Sequence, residues 1–244
     1  SLSVQVNIVI ATPPPSNLVY SGSPFAFVKS KAITTITPTF TSTVTSCTAN
    51  PSLPGLTLDN TTCAISGTPT TSQLQTTHTI TASNAFGSTS TTIDLTVFRV
   101  LFVSNGSIAG SSITNSSVAD NLCNSDASKP ASTGSYKAMI AGWGTRRACT
   151  SGNCATSGAA ENLDWVLAPN TEYRRNDLAT KIMTTNSAGI FAFGALSATL
   201  VALPLPGGSP TGYWSGMGST WVTQGASGTC GGSWSTPLGT GAYG

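Results

Sequence analysis

Apolar and polar residues alternate in several short stretches of the first 98 residues. The alternation is clearest in Val4–Ile10, in Thr77–Ala82 and in Thr91–Val97. Apolar side chains at every second position share one face of a β-strand, so each stretch predicts a strand with one face on a core. Proline and glycine separate the stretches, and short strands at such spacing predict an antiparallel β-sandwich.

The alternation is lost in the second part of the chain, which is rich in glycine and tryptophan. Ser117–Cys123 places its apolar residues on one helical face and predicts a helix. We expect Ser116 or Ser117 to cap this helix and Asp120 to lie in its first turn. Short apolar pieces and turns follow, at Tyr136–Ala141, Trp165–Leu167, Ile190–Phe193, Tyr213–Trp214 and Trp221–Val222.

Charged residues divide the chain further. Of the 18 charged residues among 244, four precede residue 99, fourteen lie in 99–181 and none lies in 182–244. This shift predicts a domain boundary near Phe98–Leu101. We therefore expect a strand and linker over 1–14, a β-sandwich over 15–98 and a second domain over 99–244. A charged fraction of 7% is far below the roughly 25% of ordinary soluble domains and is typical of extracellular surface proteins.

Composition argues against several classes of function. A net charge of +2 provides no basic field for a nucleic-acid backbone, so no nucleic-acid partner is expected. No apolar run approaches the roughly 18–20 residues of a membrane span, so no transmembrane segment is expected. The single histidine, His78, lies within a strand pattern, which argues against histidine-based catalysis and histidine-ligated metals.

Six cysteines in a chain of this composition suggest disulfides. Cys47 and Cys63 flank a proline-rich turn region, and Cys149 and Cys154 bound a four-residue loop, so both pairs are candidates. Cys123 and Cys230 are left over and lie far apart in the sequence. They are either a third bridge or free thiols.

The first domain resembles an Ig-like family of bacterial surface proteins. The resemblance rests on Pro54–Asp59, Ile65–Pro69 and Thr79–Asn84, and it covers about Pro15 to Val97. It implies an Ig-like β-sandwich, from which the chain departs at Cys63, where the family usually has Gly. Cys47 precedes the Pro54–Gly55–Leu56 turn, so a Cys47–Cys63 bridge would cross neighbouring strands. Ser3–Ile10 is either the last strand of a preceding Ig-like repeat or an ordinary first strand.

The second domain resembles the leptospiral endostatin-like surface proteins. The matching segments are Leu101–Val103, Ile108–Gly110 with Ala119–Cys123, Tyr136–Met139, Arg146–Cys149, Asn162–Leu167, Asn170–Tyr173, Thr185–Phe191, Tyr213–Gly216, and Cys230 with Trp234. This resemblance implies an endostatin-like or C-type-lectin-like α+β domain with little helix, in which Tyr136–Met139 is the first core strand. It also implies a spirochaete outer-membrane lipoprotein or secreted protein. The family continues with two further cysteines, so either the chain is truncated at its C-terminus or Cys123 and Cys230 pair with each other.

Half of the positive charges are candidates for ligand binding. If the fold gathers them, they form a basic patch for acidic host proteins or sulfated glycans. The alternative is a set of separate, locally paired side chains. The candidates are Arg146, Arg147, Arg174, Arg175 and Lys181.

A calcium site is a second candidate, because C-type lectins bind sugars through calcium. Enough oxygen ligands occur between residues 161 and 177, in Glu161, Asp164, Asn170, Glu172, Asn176 and Asp177. The lectin motifs themselves are absent and Arg174 and Arg175 lie amid the set, so we expect no metal and no other cofactor.

The sequence as a whole predicts a mainly β surface protein that is not an enzyme. Its expected role is adhesion to host extracellular-matrix or plasma proteins. Two alternatives remain open. In one, the protein is a structural subunit of a surface filament or sheath that self-associates by strand addition through Ser3–Ile10. In the other, less favoured alternative it is a calcium-dependent lectin.

Overall fold

The computed structural model describes residues 12–104, 112–130, 134–142, 144–199 and 215–224. The chain forms two compact units. The described part of the first unit comprises residues 12–27, 31–71 and 75–97, and the second unit comprises Val28–Ser30, Ser72–Leu74 and the chain from Phe98 onward. Two short segments of the N-terminal part thus belong to the second unit. Within that unit the Lys29 N–H donates to the Phe98 carbonyl (2.9 Å) and Arg99 Nε donates to Ser72 Oγ (3.3 Å).

The chain contains ten described strands and one α-helix. The strands are β1 (Ser16–Val19), β2 (Phe25–Val28), β3 (Thr39–Thr41), β4 (Ser46–Asn50), β5 (Leu56–Leu58), β6 (Ile65–Gly67), β7 (Gln73–Asn84), β8 (Gly87–Leu101), β9 (Glu172–Arg175) and β10 (Lys181–Thr184). The helix, α1, spans Ser116–Ser125, and short 3-10 helices span Gly152–Cys154 and Gly158–Glu161. The predicted mainly β fold with little helix is confirmed.

Strands of the first unit pair in the antiparallel manner of a sandwich. β1 pairs with β3, β5 pairs with β6, and β7 lies between β4 and β8. The predicted strands Thr77–Ala82 and Thr91–Val97 lie within β7 and β8. The register places Cys47 opposite Ala82. The strand expected at Ser3–Ile10 lies outside the described residues.

Alternate residues of these strands form the core of the first unit. Ile65, Ile80 and Ala82 are fully buried there together with the Cys47–Cys63 disulfide. His78 is also fully buried, and its Nδ1 lies 2.8 Å from the Pro51 carbonyl oxygen, in keeping with a structural role.

Gly55 shows why the turn before β5 needs glycine. Its φ is +75°, in the left-handed region, and a Cβ there would lie 2.7 Å from the Thr70 backbone nitrogen. The Thr70 N–H donates to the Pro54 carbonyl (3.2 Å), so the two segments must approach closely.

In the second unit, β9 is the central strand. It pairs antiparallel with β10 and parallel with the end of β8, where Arg99 lies opposite Tyr173 and Val100 opposite Arg174. Apart from this small sheet, loops contribute much of the hydrophobic core of the second unit. Its most buried large side chains include Leu167, Tyr173, Ile182, Met183, Ile190, Met217 and Trp221.

Two sequence-based details of the second unit are wrong. The helix begins at Ser116 and its cap is Asn115, whose side chain accepts from the Val118 N–H (3.0 Å); it has no acidic residue in its first turn. Tyr136–Met139 is not a strand. Its backbone is instead held by side chains, because Asn124 Oδ1 accepts from the Tyr136 N–H (2.8 Å) and Asp120 Oδ1 from the Ala138 N–H (2.8 Å).

Within the residues that the structure describes, no helix is long and apolar enough to cross a membrane.

Candidate functional site

Arg146 is a buried cation at the centre of an ion cluster whose outer members, Asp164 and Lys137, are exposed. Only 2% of the residue is exposed. Its Nη1 and Nη2 donate to the two carboxylate oxygens of Asp120 on α1 (2.7 and 2.8 Å), and its Nε and Nη2 donate to Asp164 Oδ2 (3.0 and 2.6 Å). The Ala138 carbonyl accepts from Nη1 as well (3.1 Å). The guanidinium is thus enclosed by groups of its own chain.

Charge balance in this cluster is completed by Lys137. Its ammonium pairs with Asp164 Oδ1, so Asp164 joins two cations. Burial opposes ionisation of Arg146, but the hydrogen bonds that it donates to Asp120 and Asp164 outweigh this effect and raise the pKa of Arg146. Burial likewise acts to raise the pKa of Asp164, yet Lys137 and Arg146 hold that pKa below its ordinary value.

Arg147 belongs to a different element, the loop of residues 147–161. The Glu161 side chain holds this loop, which is therefore called the Glu161 loop. Arg147 Nε donates to the Glu161 carbonyl (3.0 Å). The Glu161 carboxylate, in a residue that is 4% exposed, accepts from backbone and hydroxyl groups of Thr150 and Ser151 and from the backbone N–H groups of Thr156 and Ser157. The Ser151 hydroxyl makes the largest contribution to lowering the pKa of Glu161.

Three predicted ligand-binding residues share the hairpin of β9 and β10. Arg174 lies opposite Lys181, and the Glu172 carboxylate accepts from Arg174 Nε (2.7 Å) and pairs with Lys181 Nζ (3.2 Å). The Arg174 guanidinium also lies 4.3 Å from the ring centroid of Phe98. Arg175 is held separately, because its Nε and Nη2 donate to the carbonyl and hydroxyl oxygens of Thr199 (2.7 Å each).

The five basic candidates therefore have four different environments. Arg146 is enclosed in the core, which conflicts with the expectation that it faces a ligand, and Arg147 is used by the Glu161 loop. Arg174 and Lys181 are brought together by Glu172, whereas Arg175, on the same hairpin, is held by Thr199. Sequence reasoning missed the partners of Arg146, because Asp120 and Asp164 lie 26 and 18 residues away and nothing local marks the contact.

The acidic residues considered for calcium are used individually. Glu161, Asp164 and Glu172 have the partners described above. Asp177 caps the turn between β9 and β10, accepting from the Ala179 and Thr180 N–H groups (2.9 and 2.8 Å). Across the described residues, no group of three or more His, Cys, Asp or Glu is arranged to hold a metal ion.

Tryptophans contribute to the core of the second unit. Trp221 is 1% exposed, and its ring lies 4.7 Å from Phe191, 4.7 Å from Phe193 and 5.9 Å from Trp165. Its indole N–H donates to the Phe191 carbonyl (2.9 Å). Trp143, Trp214 and Trp234 lie outside the described residues.

Both local disulfides are confirmed. Cys47–Cys63 links residues 16 apart, and Cys149–Cys154 closes the start of the Glu161 loop with a separation of 5. Cys123 is a free, partly buried thiol, and burial is the main cause of its raised pKa. Cys230, its candidate partner, lies outside the described residues.

The described part of the chain is thus a two-unit, mainly β protein with two disulfides. Residues 7–98 match the family described as "Putative Ig domain" (He_PIG), which confirms the Ig-like prediction. Residues 104–244, more than half of the chain, match the family described as "Protein of unknown function (DUF1554)". The chain belongs to the DUF1554 family.

Solved structures similar to the chain have low identity and partial coverage. A "putative alpha-galactosidase" from Bacteroides fragilis has 21% sequence identity and a TM-score of 0.29. The match covers 38% of this chain and 19% of the chain of that protein. A chimeric titin Z1Z2 functionalised with a decorin peptide has 15% identity and a TM-score of 0.28, covering 37% of this chain and 99% of its own. No curated protein matches.

Proposed function

We propose that this protein is a non-catalytic adhesion protein, exposed on a bacterial outer membrane or secreted, that binds host extracellular-matrix or plasma proteins. An Ig-like domain beside a DUF1554 domain supports a surface role. Two disulfides also fit an oxidising, extracellular compartment. The sequence of the second unit resembles endostatin-like and C-type-lectin-like domains. This resemblance supports a binding function and an endostatin-like or C-type-lectin-like α+β fold for the second unit.

The β9–β10 hairpin is the observation that carries this proposal. It places Arg174 and Lys181 opposite each other on adjacent strands, with side chains 20% and 45% exposed, and the half-buried Arg175 follows on β9. Glu172 holds Arg174 and Lys181 side by side, which lowers the entropy lost when a partner engages them. A cationic edge of this kind suits an acidic surface of a host protein, since charge complementarity steers encounter and sets specificity.

Charge reversal on the hairpin tests the proposal. The double variant Arg175→Glu/Lys181→Glu should weaken binding to immobilised fibronectin, laminin or plasma proteins about tenfold or more, and wild-type binding should fall as salt rises. The matched control reverses the same number of charges away from the hairpin, at Lys31 and Lys129 (Lys31→Glu/Lys129→Glu). Surface plasmon resonance on the monomeric chain gives both affinities.

Three outcomes count against this function. Equal binding by the double variant and the control would exclude the hairpin, and absence of saturable binding to any of these proteins would exclude adhesion to them. Fibres of the purified chain in negative-stain microscopy would favour the structural-subunit alternative.

A further inference from the structure

The second unit contains a cavity of about 450 Å³ that the adhesion proposal does not use. All of its lining residues belong to that unit, including Val28–Ser30 from the N-terminal part of the chain. Its volume lies within the range of roughly 300–1,000 Å³ typical of small-molecule sites.

The charged groups that line this cavity are all cationic. They are Lys29, Arg99 and Lys137, and no carboxylate residue is among the lining residues. Within the described residues, which include every Asp and Glu of the chain, Lys29 and Arg99 have no carboxylate at salt-bridge distance. Lys137 is paired with Asp164. Cations gathered in a concave, partly apolar site attract an anion more strongly than they would on an open surface.

Apolar and aromatic side chains form the remaining wall. Val100 and Leu167 are buried, and Tyr136, Met139 and Trp165 are partly buried. The rings are fixed before any ligand arrives. Tyr136 packs edge-to-face on Phe102, with 5.0 Å between ring centroids, and the Trp165 indole N–H donates to the Gly189 carbonyl (2.9 Å).

We propose that this cavity binds a small organic anion, with a carboxylate, sulfate or sulfonate group at Lys29 and Arg99 and an apolar ring or chain against Tyr136, Met139 and Trp165. The acid group neutralises Lys29 and Arg99, which have no carboxylate partner among the described residues. The apolar body leaves water for a preformed wall, which lowers the entropic cost of binding. This site does not include the hairpin cations Arg174, Arg175 and Lys181, although Tyr173 of β9 is one of its lining residues.

A matched pair of fluorescent probes tests the charge requirement. The chain is titrated with 8-anilinonaphthalene-1-sulfonate and with N-phenyl-1-naphthylamine, which has the same rings and no sulfonate. The sulfonate should bind saturably with one site per chain and at least about tenfold more tightly, because only the charged group can form charge-assisted hydrogen bonds with Lys29 and Arg99. Equal affinity for the two probes would overturn the proposal.

Variants then locate the site. Lys29→Met/Arg99→Met should weaken sulfonate binding about tenfold or more, whereas Lys31→Met, which removes an exposed cation that does not line the cavity, should leave it unchanged. Ser135→Asp tests the same cavity without removing a cation, because Ser135 is an exposed lining residue. A carboxylate at this position should repel the sulfonate probe. Ser135→Asn, whose side chain has the same shape as that of Asp but no charge, should not. If both Ser135 variants bind like the wild-type chain, or if the double Met variant keeps full affinity, the sulfonate binds elsewhere and the proposal fails.

Discussion

The two units of this protein hold their backbones by different means. In the Ig-like unit, β4, β7 and β8 form a regular ladder and their alternate side chains fill one core. In the second unit, long loops are held by buried polar side chains, with Arg146 and Glu161 each receiving or donating many hydrogen bonds. A strand satisfies its own backbone groups through the sheet, whereas a buried loop must find side-chain partners. The second unit should therefore be the more sensitive to loss of single polar groups.

The largest expected effect is at Arg146. Arg146→Ala leaves Asp120 and Asp164 without their shared cation and should lower the free energy of unfolding of the second unit by about 3–5 kcal/mol. Urea unfolding followed by tryptophan fluorescence measures it, because all five tryptophans lie beyond residue 99. Arg175→Ala is the control and should cost less than about 1 kcal/mol. Equal losses in the two variants would contradict a special role for the buried cluster.

Removal of each disulfide should have the next largest effect on the free energy of unfolding. Because each unit contains one of the two bridges, the two variants compare the units directly. By loop-closure entropy, Cys47→Ser/Cys63→Ser should cost about 3 kcal/mol and Cys149→Ser/Cys154→Ser about 2 kcal/mol, since the separations are 16 and 5 residues. Thermal unfolding by calorimetry tests the order. A reversed order would show that the short bridge does more than restrict the unfolded chain, for example by positioning the donors to Glu161.

Acid should destabilise both units through single carboxylates. Thr62 and Thr61 lower the pKa of Asp59 below its ordinary 3.8, and the donors of the loop lower that of Glu161 below 4.5. A carboxylate whose pKa is lower in the folded state than in the unfolded state stabilises the fold at pH values above its unfolded pKa. This stabilisation is lost as the pH falls from the unfolded pKa towards the folded pKa. Glu161→Gln should reduce the acid sensitivity seen by tryptophan fluorescence, and Asp59→Asn should leave that signal unchanged. An acid profile of Glu161→Gln that matches the wild type would refute the assignment.

The smallest expected effect is at the exposed pair of the hairpin. Lys181→Ala removes one of the two cations on Glu172 and should change the free energy of unfolding by less than about 1 kcal/mol, because partly exposed pairs contribute little. Urea unfolding provides the measurement. A larger loss would mean that the hairpin charges stabilise the fold, and binding defects of hairpin variants would then need correction for unfolding.

Local patterns were enough to predict much of the Ig-like unit. Alternation placed strands at Thr77–Ala82 and Thr91–Val97, and motif resemblance identified the family, because both depend on neighbours in the sequence. The same holds for the two short-range disulfides. Helix α1 was predicted, but Asn115 rather than a serine caps it, since several adjacent polar residues can serve as caps.

The fold class, the Ig-like unit and the local disulfides thus follow from residue patterns along the chain. Which charged side chains are available to a ligand depends instead on contacts between distant segments. The tertiary structure buried Arg146 between Asp120 and Asp164, placed Arg174 beside Lys181, and brought Lys29 near Arg99 and Lys137 around one cavity. The physical reason is that a charge in a core must find its counter-charge wherever the folded chain brings one, and spacing along the sequence does not encode that contact.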